Sequence, residues 1–295
     1  MSTKTLTTSE EAKTYACNVT NGGLSLEKAQ RQLAYFGQRL ADSKTDEQTA
    51  VWSEEISRIE EWLASARFQR GEYSRGVDDL LLELIEWRAL KFAFQNVKTE
   101  RSPFNDHVFY SQWLVGGTYA VFALLGQLVS KDDRDDSLRK LWGDVSPFIA
   151  SDGACTTEEF DCINQKLQEK TGHFTNVNSK ALMFRNKVIA HNEWSPTIKW
   201  SEIDKDIEIL VRIWSLIASW SSFGRFEPFR TGDQAFSGLD PFFSAEELKQ
   251  LKAKRQEYLG RVYQWAVNHL HNGQRDPGRG GFSRLSVTST IVMRL

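Results

Sequence analysis

Apolar residues recur at three- and four-residue intervals along most of this 295-residue chain, and that spacing constrains its fold more than any other feature. Leu26–Leu40 and Trp52–Ala66 each carry a narrow apolar stripe, which is typical of α-helices that pair with one another. Only six prolines interrupt the chain, so long helices are compatible with it. The pattern predicts an all-α fold.

The starts and stops of this periodicity predict four regions along the chain. Asp42–Lys44 supplies a short polar turn, so the first two helices should form an antiparallel hairpin, and a third helix should follow over residues 74–96. The polar stretch Lys98–Pro103 then breaks the pattern and is taken as a boundary. The predicted regions are an N-terminal helical region (1–97), a five-helix bundle (98–222), a loop and helix extension (223–272) and a basic flexible tail (273–295).

Composition and charge restrict the classes of function. The formal net charge of −2 gives no global attraction to nucleic acid, so any RNA contact requires a local basic patch. The three cysteines contain no Cys-x-x-Cys pair and favour neither a disulfide framework nor a structural zinc site. The polar N-terminus lacks a signal-peptide pattern, and the most apolar run, Trp113–Val129, falls short of a bilayer span. We therefore expect a cytoplasmic protein with no membrane contact.

One segment has a pattern with chemical meaning, Phe184–His191, which reads FRNKVIAH. It is similar to the signature of the HEPN superfamily, in which an arginine and a histidine are separated by four to six residues. Asn186 matches the small polar residue that often follows the arginine, and Ala190 the small apolar one before the histidine. The order of a motif helix, a short loop and a long amphipathic helix most resembles the AbiU2-like branch. The resemblance covers residues 103–222 and implies a HEPN-like helical bundle.

The spacing of the motif bears on how a site is assembled. Arg185 and His191 are six positions apart, which on a straight α-helix is about 240° of rotation and roughly 9 Å of rise. The two therefore do not share one face, whereas Lys187 and His191 do. Two copies meeting across a two-fold axis would let each arginine and histidine approach those of the partner. HEPN proteins are generally dimers of this kind, so the resemblance implies a homodimer with a composite site.

The resemblance also implies metal-independent RNA cleavage in a toxin or phage-defence (abortive infection) role. In this reaction the 2′-hydroxyl attacks the adjacent phosphate and leaves a cyclic phosphate. His191 suits proton transfer because the ordinary histidine pKa of about 6.5 lies near working pH. Arg185 would hold the phosphate, and Asn186 would hydrogen-bond the phosphate or orient His191.

Further cations are candidates for the local RNA-binding patch, and other side chains are assigned ordinary roles. Lys187, Arg225 and Arg230 are the predicted RNA-binding residues. We expect no cofactor and no metal ion. His269 and His271 end the last predicted helix, where cations suit the helix dipole, and two histidines without carboxylates are weak grounds for a metal site.

Two alternatives remain open at the level of sequence. The chain is either an active ribonuclease or a catalytically silent HEPN dimer that serves as a protein- or nucleotide-binding module. The apolar seams of the N-terminal hairpin favour contact with an antitoxin or another protein partner, or packing on the rest of the chain. A second pair with the motif spacing, Arg101 and His107, straddles Ser102-Pro103 at an expected helix entrance and is rejected for that reason.

Overall fold

The fold is entirely helical in the part of the chain that the structure describes. In this computed structural model the described residues are 6–21, 26–71, 76–97, 108–132, 135–189, 191, 198–221 and 231–276. Within them the chain forms twelve α-helices, one π-helical turn and no strand, which confirms the all-α prediction. The α-helices are α1 (Ser9–Asn21), α2 (Leu26–Ala41), α3 (Asp46–Ala64), α4 (Ala66–Gln69), α5 (Val77–Gln95), α6 (Val108–Leu128), α7 (Leu138–Ser151), α8 (Thr157–Leu167), α9 (Lys180–Phe184), α10 (Trp200–Ser221), α11 (Gly232–Ala235) and α12 (Ala245–Val267).

The contacts between helices divide the chain into two compact units at positions other than the predicted ones. Thr20–Gly76 forms one unit, and Met1–Val19 together with Val77–Leu295 forms the other. Helix α5, which the sequence analysis grouped with the hairpin, packs on α6 and α12 and so belongs to the larger unit. The predicted boundary between residues 97 and 98 therefore lies inside the larger unit. Helix α1 was not predicted, and Ala12, Ala16 and Val19 on it join the main core.

The smaller unit is the predicted helical hairpin. Helices α2 and α3 pack along each other around Ala29, Phe36 and Ile59, which are buried. The rings of Phe36 and Trp52 stack with centroids 5.8 Å apart, which joins the two apolar seams. Thr45 caps α3 by accepting a hydrogen bond from the Gln48 backbone N–H.

The larger unit is organised around α10, which is buried around nearly its whole circumference. Bidentate ion pairs attach neighbouring helices to this core. Arg88 of α5 donates to both carboxylate oxygens of Asp204 on α10, at 2.8 and 2.9 Å. Arg255 of α12 donates to both carboxylate oxygens of Glu86 on α5. Because each pair is bidentate, it restricts the orientation of the two helices that it joins as well as holding them in contact.

Most helix limits in the larger unit follow local signals. Thr156 caps α8 by accepting a hydrogen bond from the Glu159 backbone N–H. Ser244 caps α12 through a reciprocal capping box with Glu247. Among the described helices, none combines the length and apolarity needed to cross a membrane.

Candidate functional site

The motif segment begins as a short α-helix and continues as a π-helical turn. Helix α9 starts after Ser179, whose hydroxyl accepts from the Leu182 backbone N–H and donates to the buried carboxylate of Asp206 on α10. From Arg185 to Ile189 the backbone adopts the wider π-helical form. The single motif helix expected from the sequence is therefore replaced by two shorter elements.

The wider turn has a packing reason. Phe184 and Ile189, five positions apart, both pack against the main hydrophobic core. On an α-helix these side chains would be about 140° apart, whereas a π turn joins residues i and i+5 and sets them on one face. The ring of Phe184 lies 4.8 Å from that of Phe122 on α6, centroid to centroid, which anchors the start of the turn.

Arg185 leaves the first residue of the π turn and crosses α6 at Gly126. A Cβ atom at position 126 would lie 2.6 Å from the Cδ and Nε atoms of Arg185 and 2.8 Å from its Cζ. Only glycine lets the helix backbone and the arginine approach this closely. The guanidinium is therefore held against the bare backbone of α6.

Arg185 and Asn186 line a cleft of about 330 Å³ between α6, α7 and the loop that precedes α9. Its other polar walls come from parts of the chain far from the motif. These are Ser130, Lys131, Arg139, Glu169, Thr175 and Asn176.

The charge in this cleft is positive. Lys131 pairs with the one carboxylate in the lining, Glu169, at 3.5 Å. Arg139 donates to the backbone carbonyls of Leu167 and Phe174. Burial lowers the pKa of the Arg139 guanidinium while Glu169 acts in the opposite direction, and an arginine remains protonated throughout the physiological range.

Arg185 carries the charge most available to a ligand. Among the described residues it has neither a carboxylate partner nor a hydrogen-bond acceptor, although its side chain is partly buried. A tetrahedral oxyanion such as phosphate suits a cleft lined by two guanidinium groups, because its oxygens accept charge-assisted, bidentate hydrogen bonds.

Of the other predicted site residues in the described chain, one lies in the cleft and two lie outside it. The Asn186 side-chain amide donates to the Asn176 side-chain oxygen at 2.7 Å, which joins the motif to the loop before α9. Lys187 and His191 are exposed, and neither lines the described cleft. The structure thus brings Arg185 and Asn186 together in one cleft and leaves His191 facing solvent.

Some predicted residues lie outside the described part of the chain. Arg225 and Arg230 fall within residues 222–230, and the pair Arg101 and His107 within residues 98–107. The predicted basic tail is described only as far as Asp276.

Sequence reasoning missed Gly126, Lys131 and Arg139. None of them belongs to a motif, because α6 is apolar on nearly all sides and α7 shows only the ordinary apolar periodicity of a core helix. The nearest signal was Gly126 itself, a glycine inside an apolar helix, which often marks close approach of another group.

Comparisons of the chain with family models, with curated proteins and with solved structures found no match.

Proposed function

We propose that this protein is a metal-independent endoribonuclease of the HEPN type, with a toxin or phage-defence role. The observation that carries the proposal is the cationic cleft in which Arg185, free of carboxylate partners among the described residues, lies beside Asn186 and shares a wall with Arg139. Such a cleft suits one phosphate of an RNA backbone, which answers the objection that the net charge of −2 disfavours RNA.

The reaction follows from these groups. Arg185 and Arg139 hold the scissile phosphate and offset the charge that builds on its equatorial oxygens. The 2′-hydroxyl attacks that phosphate, the bond to the 5′-oxygen breaks, and a 2′,3′-cyclic phosphate and a 5′-hydroxyl remain. One histidine removes the proton from the 2′-hydroxyl and a second returns one to the 5′-oxygen.

A homodimer supplies the second histidine in this proposal. His191 is exposed and does not line the cleft of its own chain, so it is free to reach a composite site between two copies. Two His191 side chains then act as base and acid in one site, and Asn186 orients the phosphate.

The test uses purified full-length protein with structured and unstructured RNA in the presence of EDTA. Wild type should cut RNA and leave 2′,3′-cyclic ends, and a 2′-deoxy nucleotide at the cut position should block cleavage. His191→Ala and Arg185→Ala should each lose at least about a hundredfold in rate. Arg67→Ala, which removes an exposed arginine of the smaller unit, serves as the matched control and should retain the wild-type rate.

The outcomes separate the proposal from its alternative. Cleavage that persists at the wild-type rate in His191→Ala would reveal a contaminating nuclease and refute the assignment. Binding of RNA or nucleotide without any cleavage would instead identify a silent binding module.

A subunit-mixing experiment tests the composite site. His191→Ala protein is added in equal amount to wild type and allowed to exchange subunits. If both histidines act in one site, the rate from a fixed amount of wild type should fall to about half, because half of the wild-type dimers are lost to mixed ones. An unchanged rate would mean that each chain acts alone.

A further inference from the structure

Two histidines and a glutamate from distant parts of the chain converge at one end of the larger unit. Glu159 lies on α8, and His269 and His271 follow the end of α12. One candidate ligand atom from each lies within 4.8 Å of the other two. The Oε2 atom of Glu159 is 2.9 Å from Nδ1 of His271 and 3.5 Å from Nδ1 of His269. Ligand atoms around a tetrahedral Zn²⁺ with bonds of about 2.0–2.1 Å are separated by roughly 3.3 Å, between these two values.

His269 is the side chain that most needs a partner here. Its side chain is 8% exposed, and neither ring nitrogen makes a hydrogen bond to a described residue. A buried polar group without a partner is costly. A metal ion on Nδ1 would satisfy one nitrogen, and the Asp276 carboxylate, whose Oδ2 lies 3.4 Å from Nε2, is in position to accept from the other. A carboxylate behind a ligating histidine is the usual second partner that fixes the ring.

Glu159 is held so that one of its oxygens faces the histidines. Arg212 of α10, which is fully buried, donates from Nε to Oε1 of Glu159 at 2.9 Å. The same guanidinium donates from Nη2 to Asp276 at 3.0 Å. Arg212 thus orients both the proposed ligand Glu159 and the carboxylate behind His269.

The loop that carries the histidines is itself closed by backbone hydrogen bonds. His269 N–H donates to the Gln274 carbonyl, and Asp276 N–H donates to the Val267 carbonyl. Gly273 has a φ of +69°, a left-handed conformation that favours glycine at this turn. The two histidines and Asp276 are therefore set in position before any ion binds.

Charge also favours a cation at this cluster. Glu159 and Asp276 contribute two negative charges, and Arg212 contributes one positive charge. Both Nδ1 atoms face the same oxygen of Glu159, that of His271 at 2.9 Å and that of His269 at 3.5 Å without a hydrogen bond. A divalent ion between them would give His269 Nδ1 a partner and offset the excess negative charge.

We propose that Glu159 Oε2, His269 Nδ1 and His271 Nδ1 bind a divalent transition metal such as Zn²⁺, with Asp276 as the positioning residue for His269. Of the three proposed ligands, His271 also lines a second cleft, of about 790 Å³, so it is the one that an ion arriving from solvent would meet first. The cluster shares no residue with the cleft lined by Arg185 and Asn186. The ion would join α8 to the segment after α12.

The test titrates Zn²⁺ into chelator-treated full-length protein and follows heat, stoichiometry and thermal unfolding. Wild type should bind one ion per chain and unfold at a higher temperature with the ion than without it. His271→Ala, chosen because this side chain is 25% exposed and its loss leaves the core intact, should weaken binding at least a hundredfold. Asp276→Asn should weaken it by about 10–100-fold, the range for a partner behind a ligand.

The control is His191→Ala, the same change at an exposed histidine outside the cluster, which should bind Zn²⁺ as wild type does. Co²⁺ bound to wild type should give the visible spectrum of a tetrahedral or five-coordinate site. The variant His271→Gln repeats the binding test with a side chain larger than the alanine of His271→Ala. Equal affinity of wild type and both His271 variants would overturn the proposal. So would failure of wild type to bind Zn²⁺, Co²⁺ or Ni²⁺.

Discussion

Replacing Gly126 with alanine should displace the Arg185 side chain without destabilising α6. The new Cβ would stand 2.6 Å from the Arg185 side chain, whereas ordinary contact begins at 3.4 Å, so the arginine must move by about 0.8 Å or more. The atoms that must move belong to a flexible side chain, so the fold can adapt at low cost. Gly116 on the same helix is the matched control, because a Cβ there meets nothing within 4 Å.

The magnitudes follow from helix propensity and from positioning. Alanine is favoured over glycine in a helix interior by about 0.8–1.0 kcal/mol, so Gly116→Ala should raise the free energy of unfolding by that amount. Gly126→Ala gains the same propensity but displaces Arg185, and its stability should stay within about 1 kcal/mol of wild type. If Arg185 holds the scissile phosphate as proposed, a displacement near 1 Å costs about a hundredfold in rate, so cleavage of RNA should fall by that factor in Gly126→Ala but not in Gly116→Ala.

Urea unfolding of the two variants gives the stability, and RNA cleavage gives the activity. A measurement that does not rely on cleavage is the shift of the Arg185 Nε–H signal in NMR as inorganic phosphate is added, which Gly126→Ala should diminish. If Gly126→Ala folds and cleaves RNA like wild type, the role given to Arg185 is wrong. A stability loss above about 3 kcal/mol would show that α6 itself, and not the arginine, yields to the new methyl group.

Three further predictions concern buried polar groups and a cap. Burial, and secondarily the nearby Arg88, lowers the pKa of Lys91 to about 8, below its unfolded value of about 10.4, so between these values the unfolded chain holds more protons at this group. The stability of wild type relative to Lys91→Met should therefore rise by about 2 kcal/mol from pH 7.5 to 9.5 in urea unfolding, and a difference that does not change with pH would contradict the assignment. Asp206→Ala removes the shared partner of His173 and Ser179 and should cost about 3 kcal/mol in urea unfolding, a value under 1 kcal/mol being incompatible with this role. Ser244→Ala should cost about 1 kcal/mol by calorimetry, and no change would mean that the capping box adds nothing to α12.

Helix positions were largely predictable because their signals are local. Asp42–Lys44 predicted the turn between the first two helices of the hairpin, and the structure ends α2 at Ala41 and begins α3 at Asp46. A cap and an amphipathic stripe involve residues within one or two turns, so they can be recognised from the chain alone. The sequence did not predict which unit α5 belongs to, because its buried residues leave no polar face to show which helices cover it.

The Arg185 cleft and the Glu159 cluster likewise combine residues recognisable in the sequence with residues that only packing brings together. Arg185 and Asn186 were predicted from the motif, whereas Arg139 and Gly126 join them only because α6 and α7 pack beside the π turn. The sequence placed His269 and His271 only at a helix end, whereas the fold brings Glu159, 112 positions before His271, next to both of them.

By itself, the sequence determined that the chain is helical, where most of its helices run, and that Arg185–His191 resembles a nuclease motif. Only the tertiary structure decided that the motif bends into a π turn, that Arg185 crosses a bare glycine into a cationic cleft, and that two histidines share a carboxylate. The physical reason is the separation along the chain over which each interaction acts. Helix propensity and capping act between residues a few positions apart, while the position and charge of a side chain in a site depend on groups that long-range packing brings together.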